Sequence, residues 1–265
     1  APKRERASGS KLLSQAQAEL PPPDAPPVAP VAAVVSSAAV ADPVEERADE
    51  RLDWIVNTGD EVRSSASAAG GAIYVGSYDG NLYAIDETDG AVRWRFKTQR
   101  GIVSRPMPIA EMVIVGSEDK SVYAVSRHNG RASWSFQTNM PVRSSAIADE
   151  RMGAIGSDDG FLYRFDRARG VVTFRYKTFG PIRSTPAQAG DALVFGSDDG
   201  YLYNVSAETG RLAWRYQVGA PVMSTPAVKG NIVVVGASDG GIRGFGLRDG
   251  KLLWTVQSPK TVISS

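Results

Sequence analysis

Apolar runs and polar breaks recur along this chain at a fixed interval. Within residues 64–98 an unbroken run, Ala72-Ile73-Tyr74-Val75, is followed by Asp79-Gly80, a second run, Leu82-Tyr83-Ala84-Ile85, then Asp89-Gly90 and an alternating stretch from Val92 to Lys97. Asp-Gly between two apolar runs is a hairpin signal, and the expected connection is a type I′ turn, which needs positive φ at both central residues. A continuous apolar run, such as Ile232-Val233-Val234-Val235, predicts a strand covered on both faces. The alternating stretch predicts a half-wet strand, with Trp94 and Phe96 on one side and Arg95 and Lys97 on the other. With Ser64-Ser65-Ala66 opening an innermost strand, the unit reads as four short antiparallel strands: one inner, two middle, one outer.

The unit recurs every forty residues. Trp54, Trp94, Trp134, Phe174, Trp214 and Trp254 keep this spacing, as do Gly76, Gly116, Gly156, Gly196 and Gly236, and the serines from Ser64 to Ser264. Four-stranded repeats of this period are blades of a β-propeller, an all-β fold whose blades pack face to face about a central channel. Each outer strand supplies one large ring to the seam with its neighbour, and an indole buries on the order of 200 Å². Phe174 keeps the ring and loses the indole donor, so its seam is expected to be the weakest of the complete ones. Five complete units run through residues 64–257. Leu52-Asp53-Trp54-Ile55-Val56 ahead of them matches an outer strand, and Val262-Ile263-Ser264-Ser265 behind them matches the opening of an inner one. The expectation is five complete blades plus a partial sixth, a piece of a larger ring whose apolar end faces would associate.

Residues 1–50 read differently from the repeats in 51–265. Lys3, Arg4, Arg6 and Lys11 make a short basic start, and Pro21, Pro22, Pro23, Pro26, Pro27 and Pro30 punctuate an Ala/Val stretch. Proline at this density removes backbone donors and favours extended conformations, so a disordered linker or tail is expected. The apolar run from Val31 to Ala41, ending in Ala39-Val40-Ala41, also has the small-residue ending of a secretory signal, but the proline beside it and the distant basic residues fit the linker better.

Charge and cysteine content narrow the chemistry. Thirty Lys and Arg face 29 Asp and Glu, a formal charge of +1, which gives no electrostatic reason to expect nucleic acid as a partner. Cysteine is absent, which removes disulfides, thiolate catalysis and zinc-thiolate sites. No apolar run reaches the roughly 18 to 20 residues of a membrane helix, so any membrane tether is expected upstream.

One column carries candidate chemistry. Arg63, Arg143 and Arg183, each followed by a serine, Ser64, Ser144 and Ser184, would begin inner strands near one mouth of the channel. Guanidinium forks beside hydroxyls suit a carboxylate-bearing ligand or an acidic protein segment. The competing reading, which is favoured, has the serines satisfying backbone groups and the arginines reaching solvent or an acidic loop. The pairs Glu118-Asp119, Asp158-Asp159 and Asp198-Asp199 read as turn chemistry and not as a calcium loop. His128, the one histidine, sits beside Asn129-Gly130 and reads as a surface residue. The tyrosine column, Tyr83, Tyr123, Tyr163 and Tyr203, reads as seam packing. No catalytic group, metal or cofactor is assigned.

The segment Ala84-Ile85-Asp86-Glu87-Thr88-Asp89-Gly90-Ala91-Val92-Arg93-Trp94 resembles the tryptophan-docking motif of the pyrroloquinoline-quinone-like (PQQ-like) propeller repeat, in which alanine, aspartate, a Thr-Gly turn and tryptophan follow in that order. The other copies are looser: Asp166 is kept in the third, Thr209-Gly210 in the fourth and Asp249-Gly250 in the fifth, while Ser126 replaces the aspartate in the second. The resemblance covers 51–265 and implies a parent ring of roughly seven or eight blades. It also implies a non-catalytic scaffold or sensor binding protein partners or anionic ligands in the periplasm or another extracytoplasmic space. Such a domain is similar to BamB-like factors of outer membrane protein assembly or to the extracytoplasmic domain of a bacterial kinase. The alternative it implies is a fragment of a PQQ-dependent quinoprotein dehydrogenase, whose adjacent cysteines this chain lacks.

Overall fold

A computed structural model describes residues 54–262. The tail assigned to 1–50, and Leu52, Asp53, Ile263, Ser264 and Ser265, lie outside the described residues. The fold is all-β: five four-stranded antiparallel sheets, each with its strands in chain order. Blade one holds β1 (Ser67–Ala69), β2 (Ala72–Gly76), β3 (Asn81–Asp86) and β4 (Val92–Lys97); blade two holds β5 (Met107–Ile109), β6 (Met112–Ser117), β7 (Ser121–Ser126) and β8 (Ala132–Gln137). Blade three holds β9 (Ile147–Ala148), β10 (Met152–Gly156), β11 (Phe161–Asp166) and β12 (Val172–Lys177). Blade four holds β13 (Ala187–Ala189), β14 (Ala192–Gly196), β15 (Tyr201–Ser206) and β16 (Leu212–Gln217), and blade five β17 (Ala227–Lys229), β18 (Ile232–Gly236), β19 (Gly241–Gly246) and β20 (Leu252–Gln257). These are propeller blades, and the inner strands of successive blades meet, β1 against β5, β5 against β9 and β13 against β17.

Burial follows the sequence pattern in the middle strands and in most outer ones, whereas β20 of the last described blade is exposed throughout. The middle strands are buried nearly throughout, with Val113, Ile114 and Val115 fully enclosed, while the outer strand β4 alternates. A single sheet has no interior, so the core lies in the seams. One cluster joins Tyr74, Leu82 and Ala84 of blade one to Val113, Val115 and Val125 of blade two, and the next joins Ile114 and Val122 of blade two to Ile155 and Phe165 of blade three. Connecting segments pass so close to the ends of the second strands that a Cβ at Gly116 would collide with Val142.

The structure departs from the sequence reading in three places. The Asp-Gly turns are not type I′: in the first hairpin Gly80 has φ 80°, but Asp79 is not among the positive-φ residues. Gly80 N donates to Ser77 O at 3.1 Å and Ser77 N to Asn81 O at 3.1 Å, so Tyr78, Asp79 and Gly80 form a three-residue loop, a type I turn closed by one left-handed residue. The inner strands are shorter than expected. In blade one the strand begins at Ser67, so Ser64 lies in the segment leading to it. Finally, Trp54–Val56 are not part of a sheet, although Trp54 and Val56 pack on Val75, Tyr83 and Ile85 of blade one. Each blade also carries a bulge between its third and fourth strands, seen in the register shift at Ala84/Ile85, which adds local twist.

Candidate functional site

The aromatic column builds the seams. Trp94 Nε1 donates to Arg127 O of the next blade at 2.8 Å, Trp134 Nε1 to Arg167 O at 2.9 Å and Trp214 Nε1 to Leu247 O at 2.8 Å. Trp54 makes a longer bond of 3.3 Å to Glu87 O. Each ring rests on the glycine that closes the following blade's outer turn: a Cβ at Gly130, whose φ is 68°, would lie 2.8 Å from Trp94. Phe174 rests on Gly210 in the same way, without a donor for the facing carbonyl. Trp254, on the last described blade, is 40% exposed.

The serine column is buried and bonded to backbone, mostly of its own blade. Ser64 Oγ donates to Gly76 O at 2.9 Å and accepts from Gly76 N at 2.8 Å. Ser144 Oγ accepts from Gly156 N at 3.2 Å and donates to Ser184 O at 2.9 Å, and Ser184 Oγ accepts from Gly196 N at 3.1 Å. These hydroxyls hold short inner segments against the second strand.

The arginines of the column meet acids. Arg143 spans Glu118 of the preceding blade, at 2.8 Å, and Asp158 of its own. Arg183 likewise spans Asp158, at 3.2 Å, and Asp198, at 3.0 Å. The result is a ladder of alternating charge, Glu118, Arg143, Asp158, Arg183, Asp198, crossing blades two to four. Burial opposes the charge on Arg143, but the Glu118 and Asp158 carboxylates outweigh it and raise its pKa. Asp198 is pushed up by burial, with Arg183 only partly compensating, and its Oδ1 has no hydrogen-bond partner among the described residues. Both arginines stay partly open to solvent, at 36% and 39%. Arg63 stands apart, paired with Glu61 at 2.7 Å and resting on Tyr78. The structure thus brings Arg143 and Arg183 together and leaves Arg63 separate.

The two members of each acidic pair part ways. The first joins the ladder; the second ties one blade to the loop leaving its predecessor. Asp159 Oδ2 accepts from Asn139 N at 2.9 Å and from the Tyr163 hydroxyl at 2.6 Å, and its Oδ1 accepts from Phe161 N at 2.9 Å. Asp79, Asp119 and Asp199 do the same with Tyr83, Tyr123 and Tyr203. Burial opposes ionisation of Asp79, but the Tyr83 hydroxyl and the Asn81 and Gly59 amides prevail and hold its carboxyl at about 2. Burial pushes the Tyr83, Tyr123, Tyr163 and Tyr203 hydroxyls up. This tie was missed in the sequence, although the Asp-x-x-x-Tyr spacing recurs in four consecutive repeats.

His128 is exposed and pairs with Glu111 at 2.6 Å. Among the described residues no three His, Cys, Asp or Glu side chains gather to hold a metal. A quinone cofactor bound through calcium would need free carboxylates, whereas the acids of the ladder face guanidinium groups, so these residues do not fit it. No helix of the described residues is long and apolar enough to cross a membrane.

Comparison with known proteins places this geometry. No curated protein matches the chain. Among solved structures, BamB from Moraxella catarrhalis superposes with a TM-score of 0.70 at 22% identity, covering 78% of this chain and 68% of that one. The computationally designed Ika8 protein superposes with a TM-score of 0.68 at 18% identity, covering 76% of this chain and 64% of that one. At these identities the likeness establishes the propeller fold. The family described as outer membrane protein assembly factor BamB matches residues 40–173 and 158–265, which together span the whole repeat region. The chain therefore belongs to that PQQ-like β-propeller repeat family.

Proposed function

We propose that this chain is a non-catalytic propeller scaffold that binds protein segments through one end of its blades, in the periplasm or another extracytoplasmic space. The observation that carries the reading is the charge ladder. Its arginines are partly open, each spans one acid of the preceding blade and one of its own, and an incoming carboxylate or ammonium group could exchange with either partner. The buried serines and the second aspartates are engaged with backbone, which leaves the arginines of the column as its ligand-facing groups. Membership of a family described as an assembly factor, and the fold shared with BamB from Moraxella catarrhalis, point the same way. The outer-strand rings act in this reading as the tryptophan-docking motif of the repeat, keeping the blades rigid beneath the binding face.

An array of extended peptides, probed with the wild-type chain and with an Arg143→Ala/Arg183→Ala double variant, tests it. A set of peptides held by the wild type and lost with the variant supports the scaffold. Equal retention by both removes the ladder from the interface, and no retention by either removes the reading. Adding pyrroloquinoline quinone with calcium tests the dehydrogenase alternative, which requires a bound chromophore.

A further inference from the structure

The forty-residue repeat is broken in several columns at one seam, between blades three and four. The residue paired across strands with the outer ring is Ala84, Ala124, Asn204 or Gly244 in the other blades; in blade three it is Arg164, opposite Phe174. Phe174 is itself the one non-indole of its column. The inner strand of blade three, β9, is the shortest in the fold. A cleft of about 470 Å³ opens there, lined by Arg164, Thr173, Gln188, Asp191, Ala207 and Glu208 among others.

Two polar groups in this cleft lack partners. The Arg164 side chain is only 4% exposed, and its buried Nε has no hydrogen-bond partner among the described residues. Nη1 donates to Gln188 Oε1 at 3.0 Å, and the nearest acid to Nη2, Asp149 Oδ2, lies at 3.7 Å, beyond hydrogen-bond length. The Nε–Nη2 edge of the guanidinium, which suits two carboxylate oxygens, is therefore without a hydrogen-bond partner among the described residues. The second group is the Ala207 carbonyl. Its counterparts Glu87 O, Arg127 O, Arg167 O and Leu247 O each accept an indole N–H, but Phe174 has none to give, and no described residue donates to it. Acids stand close by: Asp191 and Glu208 line the cleft and Asp149 borders it. Together they outnumber Arg151 and Arg164, so a simple anion would be repelled.

We propose that this cleft binds a small zwitterion of the α-amino-acid class, its carboxylate on the Nε–Nη2 edge of Arg164 and its ammonium group on the Ala207 carbonyl beside Asp191 and Glu208. The cleft shares no residue with the charge ladder, and the inference is independent of the scaffold reading. A carboxylate relieves the buried, unpaired Nε, whose desolvation is costly, and the ammonium replaces the indole donor that this seam lacks. Either charge alone satisfies only one of the two groups.

The test is titration of the full chain with glycine, L-alanine and L-glutamine, and separately with acetate and methylammonium, following backbone amide shifts by NMR. Saturable shifts at Thr173, Gln188 and Ala207, with a Kd of about 1 mM or tighter for at least one amino acid, are expected. The half-ligands should bind at least about tenfold more weakly, since each satisfies one group only. Arg164→Lys, which keeps the charge but loses the planar fork, should weaken binding about tenfold. Phe174→Trp, which restores the indole donor to Ala207 O, should weaken it as well and serves if the Arg164 variant does not fold. No saturable shift with any of the amino acids, equal binding of acetate alone, or unchanged affinity in folded variants would each overturn the proposal.

Discussion

An indole on the outer strand supplies both a broad face for the following glycine and an N–H for the following carbonyl, and the two contributions separate by substitution. Trp134→Phe keeps the face and loses the bond to Arg167 O, so a loss of about 1 kcal/mol is expected. Trp134→Ala loses both and should cost about 3 kcal/mol, read from urea denaturation of the folded chain. On the receiving side, Gly130 has φ 68° and its Cβ position is occupied by Trp94. Gly130→Ala should therefore cost at least about 1 to 2 kcal/mol from backbone strain alone. Asp79 adds a pH dependence. Its carboxyl is held at about 2 in the folded chain against an ordinary 3.8, so its stabilisation is present above pH 3.8 and is lost as pH falls through 2. Asp79→Asn should flatten the acid limb of stability over that window.

At the level of the blade, the aspartate between second and third strands is the joint with the preceding blade. Asp159→Ala strands the Asn139 and Phe161 amides and the Tyr163 hydroxyl at once, and a loss of about 3 kcal/mol is expected by thermal or urea unfolding. The tyrosines that complete these joints have raised pKa values, so the folded chain holds their protons more tightly than the unfolded one. Their contribution is intact below pH 10 and declines as pH rises through the raised values, which a phenolate absorbance titration would show as delayed ionisation followed by unfolding. These joints illustrate what the sequence could not display. The aspartate looked like turn chemistry because its local bond, to the amide two residues on, is a turn bond. Its bond to Asn139 depends on how one blade meets the next, while the Tyr163 hydroxyl completes the joint from within the same blade. In the same way Asp-Gly announced a hairpin correctly, but the pairing of Ser77 with Asn81 fixed a three-residue loop in place of the tighter turn.

Across the whole array, each blade touches its neighbours in chain order, so stability is a chain of blade and seam contributions. The period, the strand count per unit and the buried middle strands were all readable, because a forty-residue repeat writes the same packing constraint five times. The arginine column was visible, but its acidic partners were not: Glu118 and Asp158 reach Arg143 from different blades, a proximity set by assembly. The seam at Phe174, short of an indole donor, should open first, with amides of β12 and β13 exchanging faster than those flanking the Trp94 and Trp134 seams. The most direct check on the account is hydrogen exchange at the individual indole N–H groups. It predicts slow exchange at Trp94, Trp134 and Trp214, whose protons are held by the next blade, and fast exchange at the exposed Trp254. Uniformly fast exchange at all of them would contradict it.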